Sequence, residues 1–98
     1  MYYQQQQKVA TTKATVLANL RQLDNQQELA YRAAILSSFK EGESISYEEA
    51  VRRMQVVFDQ FDLKFAPRAC VCVELGIEFE LFKVKGLHHW TIKHVPSL

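Results

Sequence analysis

The stretch Pro67-Arg68-Ala69-Cys70-Val71-Cys72-Val73-Glu74-Leu75-Gly76-Ile77 decides the fold. Pro67 suits the first turn of a helix, since its ring presets φ and its missing N–H would have no partner there. Cys70-Val71-Cys72-Val73, in contrast, has the β-branched character of a buried strand, and periodicity alone leaves residues 68–75 open between the two. Length and punctuation favour a short helix that starts at Pro67 and stops at Gly76, where glycine supplies a left-handed end. The chain then reads as α+β, with helices through its first two thirds and a C-terminal β-hairpin.

Downstream, Ile77 to Lys85 and His89 to Val95 read as two strands joined near Gly86, with Trp90 and Ile92 on one face and Thr91 and Lys93 on the other. The inward set is expected to shift from Phe79 and Leu81 to Phe82 and Val84, as a bulge would produce. Upstream, Ser46-Tyr47-Glu48-Glu49 is a Ser-x-x-Glu capping box opening a helix with Ala50, Met54, Val57, Phe58 and Phe61 on one face. Ser44-Ile45-Ser46 before it can act as a minimal strand. Asn25 with Glu28 forms a second capping box, starting a helix that buries Leu29, Ala33, Leu36 and Phe39, reaches about Lys40 and stops at Gly42. From Thr12, Val16, Leu20 and Leu23 recur at helical spacing on an additional N-terminal helix, with Asp24-Asn25 as the break. An unbroken helix from 12 to 40 is the alternative. Residues 1–10 begin with a low-complexity polar tip, expected to be frayed or disordered, and residues 11–98 form one domain.

This order of helix, short strand, helix, helix and hairpin resembles the winged helix-turn-helix family over residues 26–95. The local match is Leu75-Gly76-Ile77, then Phe82-Lys83-Val84-Lys85-Gly86 and His89-Trp90-Thr91-Ile92. The resemblance implies a winged-helix-like fold in which 67–75 is the recognition helix and the wing carries Lys83, Lys85 and His88 to a phosphate backbone. That helix offers Arg68 and Glu74 amid Ala, Cys and Val, whereas base readout normally uses several Arg, Lys, Asn or Ser side chains. Winged helices also serve as protein-interaction modules, a use that suits a near-neutral chain.

The 98 residues suffice for one core and not two, and 48% apolar content with 11% aromatic is globular composition. Twelve Lys and Arg against eleven Asp and Glu leave a net charge of +1, which by itself selects no partner. No apolar run approaches the roughly 20 residues of a membrane-spanning helix, and no signal-peptide core stands at the N-terminus, so a cytoplasmic protein without membrane contact is expected. Cys70 and Cys72 with His88, His89 and His94 contain zinc-ligand chemistry, but the Cys-x-Cys spacing diverges on a helix and is not a zinc knuckle, so no metal or cofactor is expected. Nothing resembles a nucleophile with its base, and three glycines form no phosphate cradle. Glu48 and Glu49 are placed to pair with Arg52 and Arg53 on the same helix.

Two functions follow as expectations, neither enzymatic. One is nucleic-acid binding through Arg68, Lys83, Lys85 and His88, as a DNA-binding accessory factor in transcription or replication. The other is a protein-binding adaptor or inhibitor using the hairpin or the N-terminal helix, with Tyr31, Tyr47 and Trp90 as anchors if exposed. A homodimer through Val16, Leu20 and Leu23 is a further hypothesis, since an appended helix often packs on a second copy.

Overall fold

The computed structural model describes residues 12–97 and is α+β. Four helices, α1 (Lys13–Leu20), α2 (Asn25–Ser37), α3 (Tyr47–Gln60) and α4 (Ala69–Glu74), join three strands, β1 (Ser44–Ser46), β2 (Glu78–Val84) and β3 (Leu87–His94). The strands form one antiparallel sheet in the order β1-β3-β2. The expected frayed tip lies outside the described residues.

The undecided stretch is helical. Arg68 is the N-cap of α4, so Pro67 stands just before the cap and not in the first turn. At the other end Gly76 adopts φ +86°, donating to Val73 O while Ile77 N–H donates to Cys72 O, the paired bonds of a Schellman end. The helix wins over the strand because Val71 and Cys72 reach the core together, on adjacent positions of one helical face.

The expected break before α2 exists with its cap displaced by one residue, whereas α2 ends at Ser37 with Ser38 as its C-cap, short of the expected Lys40 and of a stop at Gly42. The cap of α2 is Asp24, its carboxylate accepting from Gln27 N–H while Gln27 Oε1 accepts from Asp24 N–H. The expected Asn25 and Glu28 pair does not form the box; Glu28 instead takes Arg32 at 3.0 Å. The buried face is correspondingly different: Tyr31, Ile35 and Leu36 point inward, whereas Leu29 and Ala33 are exposed. Tyr31 wins that face because it packs its ring on Phe58 and edge-on to Phe61, at centroid distances of 6.2 and 6.0 Å. Phe39 is buried, but beyond the helix end.

Ser46 caps α3 as expected, accepting from Glu49 N–H at 3.1 Å. The Glu49 carboxylate turns to Arg52 and Arg53. Ala50, Met54, Val57 and Phe58 form the buried stripe, and Phe61 packs at its edge.

The hairpin differs from expectation in one respect. Its turn is two residues, Lys85 and Gly86, both left-handed at φ +51° and +81°, the signature of a type I′ turn that matches strand twist. Register then runs unbroken from Val84 opposite Leu87 to Phe79 opposite Ile92, and the irregularity falls between Glu78 and Phe79. The inward set therefore does not shift: Phe79, Leu81 and Lys83 share the face of Ile92, Trp90 and His88, while Phe82 and Val84 look outward. Trp90 and Ile92 are buried as expected, Trp90 stacked 4.4 Å from Phe79 and flanked by Phe39 and Tyr47.

The N-terminal helix is part of this same core. Val16 and Leu20 are 1% and 3% exposed, Leu23 is half-buried against the core, and α1 packs on α4. The stripe Val16, Leu20 and Leu23, expected at a dimer seam, therefore packs into the chain's own core.

Candidate binding surface at the hairpin end

The sheet extends past the helices at its turn end. Close to α3, Trp90 is covered; further along that inner face Leu81 is left exposed, while Phe82, Val84 and Leu87 lie on the opposite, outer face. Leu81 stands 64% exposed, Phe82 37%, Val84 41% and Leu87 67%. Among the described residues these are four of the seven large apolar side chains left exposed, gathered within seven positions of one hairpin. Lys83, Lys85 and His88 are interleaved with them and also exposed, while His89 is half-buried beside Phe82 at 5.4 Å.

Beneath the inner side of the hairpin lies a shallow recess of about 170 Å3 lined by Tyr47, Ala69, Leu81, His88 and Trp90. It adjoins a second, of about 240 Å3, bounded by Ser46, Tyr47, Glu48, Gly86, Leu87 and His88. The helix starts decide this placement: the Ser46 cap puts Tyr47 and Glu48 at the mouth, and Arg68 at the start of α4 puts Ala69 at the floor. The recess presents an apolar floor.

Of the four residues expected to meet phosphate, Lys83 and His88 are directly opposite each other in the β2–β3 ladder, and Lys85 is in the turn. Arg68 is exposed beside Ala69, whose side chain shares the recess with His88. The fold thus brings Arg68, Lys83 and His88 to one side of the sheet. None of Arg68, Lys83 and Lys85 takes part in an ion pair among the described residues. The helix expected to read bases is six residues long and turns Val71 and Cys72 into the core, leaving Arg68 and Val73 as its exposed side chains.

The other charged cluster has an internal use. Arg53 donates to Glu49 at 2.9 Å, to Glu43 at 2.8 Å and to the Ser38 carbonyl at 2.9 Å, and lies over the Phe39 ring at 5.9 Å. It fastens α3 to the end of α2 and the approach to β1. Hydrogen bonds from Arg52 and Arg53 hold the Glu49 carboxyl down at about 2. Burial alone would raise Glu43, but the hydrogen bonds from Arg53 and from Lys40 N–H outweigh it and leave its pKa lowered.

Of the three proposed aromatic anchors, Tyr31 and Trp90 are buried and only Tyr47 borders the surface. Burial pushes the Cys72 thiol up to about 12 and raises Cys70 as well, the opposite of what a thiolate ligand or nucleophile requires. Among the described residues no three His, Cys, Asp or Glu side chains converge as metal ligands, and no helix is long and apolar enough to cross a membrane. Comparison with family models, curated proteins and solved structures gave no match.

The sequence reading found the basic residues of this end but missed its apolar ones, Leu81, Phe82, Val84 and Leu87, because it assigned Phe82 and Val84 to the core. The signal was present in Lys85-Gly86: a two-residue turn fixes parity along both strands.

Proposed function

We propose that this protein is a non-enzymatic, winged-helix-like binding module that captures a protein partner through its hairpin end. One observation supports this reading above the others: Leu81, Phe82, Val84 and Leu87 are exposed together on the two faces of one hairpin, Leu81 bordering an apolar recess and Leu87 the recess adjoining it. Clustered exposed apolar area marks interaction surfaces, and truncating anchors in such a surface costs more than removing rim charges. A surface built for duplex backbone would instead concentrate cations, and this chain is close to neutral. The working residues are Leu81, Phe82, Val84 and Leu87 as apolar contacts, Tyr47 at the mouth of the recess, and Lys83, Lys85 and Arg68 as charged surroundings that favour an acidic partner.

Photo-crosslinking in the cells that produce the protein tests the reading. A photoreactive amino acid at Phe82 or Leu87 should give protein adducts that the same group at exposed Leu29, on α2, does not. Equal adducts at all three positions, or adducts to nucleic acid only, would overturn it.

Nucleic-acid binding is the second reading, supported by the shared side of Arg68, Lys83 and His88 and by the absence of ion pairs to them among the described residues. It requires retardation of duplex or single-stranded DNA at low salt with micromolar protein, weakening steeply as salt rises.

A further inference from the structure

We propose that the outer edge of β2 receives an extended segment of the partner as an added antiparallel strand, with the sequence pattern acid, apolar, acid, apolar, apolar. The proposal rests on the hairpin end being the working surface, and adds how the partner is held and what its chemistry is.

Backbone direction supplies the first part of the argument. Ile92 donates its N–H to Glu43 O and accepts from Gly42 N–H, so its polar groups face the β1 side. These directions alternate along a strand, which turns Thr91, His89 and Leu87 toward β2. Their opposite residues Glu80, Phe82 and Val84 therefore bond to β3, and Phe79, Leu81 and Lys83 aim N–H and C=O away from the sheet. Since β2 is last in the sheet order, that row has no strand beside it among the described residues. An open row with apolar side chains on both faces is a template for strand addition.

Charge supplies the second part. At the base of the strand, Glu80 already has Lys93 at 3.7 Å, whereas Lys83 and Lys85 have no ion pair among the described residues. An added strand running antiparallel meets Lys85, Val84, Lys83, Phe82 and Leu81 in turn, and acid, apolar, acid, apolar, apolar complements each.

A second folded copy is not the occupant, although the sequence invites it. Glu78-Phe79-Glu80-Leu81-Phe82-Lys83-Val84-Lys85 mirrors itself, with Glu78 facing Lys85 and Glu80 facing Lys83 in an antiparallel pair. Each of those pairs joins an even residue to an odd one. The free backbone groups on the edge belong to odd residues in both copies, so two folded edges pair odd to odd. Such registers set Glu80 against Phe82 or Val84 and make no ion pair. A separate extended segment has both of its edges free and meets no such restriction.

Amide exchange in the 15N-labelled full chain tests this, with the synthetic peptide Ser-Thr-Glu-Val-Glu-Val-Val-Thr-Ser as probe and its Glu-to-Lys counterpart as control. The acidic peptide should slow exchange of the Leu81 and Lys83 amides at least tenfold and leave Phe82, already bonded within the sheet, unchanged. Lys83→Glu with Lys85→Glu should weaken the acidic peptide at least tenfold and turn preference toward the lysine peptide. Binding that leaves Leu81 and Lys83 exchange unchanged would overturn strand addition while leaving the hairpin surface intact. No chemical-shift change with millimolar peptide would overturn it too, and the crosslinking above would then decide separately whether the hairpin end meets a protein.

Discussion

Trp90 is the largest fully buried side chain among the described residues, and it lies between Phe79 on its own sheet and Phe39 and Tyr47 from the helical side. Trp90→Ala is expected to cost roughly 3–5 kcal/mol in denaturant unfolding, a large part of the stability of a domain this size. Tyr31 is the opposite case: its hydroxyl is buried and finds no hydrogen-bond partner among the described residues. Tyr31→Phe removes that orphan and keeps the ring packing on Phe58, so stability should stay level or rise by up to about 1 kcal/mol. A marked loss would reveal a partner for the hydroxyl. Glu43 and Glu49 predict a pH dependence. Both carboxyls have folded pKa values below the ordinary 4.5, that of Glu49 near 2, so they bind their protons more readily in the unfolded chain. Their contribution is complete above about pH 4.5 and is lost as pH falls toward 2. The melting temperature should therefore be flat from neutrality to about pH 5 and fall below it, and Arg53→Met, which removes the shared partner, should lower the plateau and flatten the acid limb. An acid limb of unchanged steepness in that variant would show that other carboxylates set it.

At the scale of elements, the two-residue turn controls the hairpin. Lys85 occupies a left-handed position that asparagine adopts more readily, so Lys85→Asn should raise hairpin stability by several tenths of a kcal/mol, measured by urea unfolding. A loss of stability would show that Lys85 makes a contact of its own. Local chemistry made the elements legible in the sequence: Ser46 before α3, Gly76 after α4, and the alternation around Trp90 each have one physical reading. Faces were harder. α2 offers two apolar pairs beside Leu36, Leu29 with Ala33 and Tyr31 with Ile35, and only the position of Phe58 on α3 and of Phe61 at its C-cap chooses between them. The outward turn of Phe82 and Val84 was obscured for a related reason, because apolar residues alternate with lysine there as they would above a core. Strand parity, set by the two-residue turn, puts them on the face opposite Trp90 and leaves them exposed.

For the whole molecule, binding and folding should separate at the hairpin end. Lys83→Ala with Lys85→Ala is expected to change stability by no more than about 0.5 kcal/mol per site, since both side chains are exposed and take part in no ion pair among the described residues. If nucleic acid is the partner, the same variant should lose affinity and flatten the salt dependence by about one to two on a log–log plot. Unchanged DNA affinity would remove the hairpin from any such role. The mirrored charges of residues 78–85 have one more consequence, which concerns ageing of the protein in solution. While the sheet is closed, parity keeps the matched register out of reach, and concentration by itself supplies no way around it. Once β2 peels from β3, its even-numbered amides are bared as well, and released strands can stack in the charge-matched register. Light scattering in a heated sample should then rise with the unfolding transition and stay low in a concentrated sample held below it. A rise with concentration alone, far below that transition, would place self-association elsewhere on the surface.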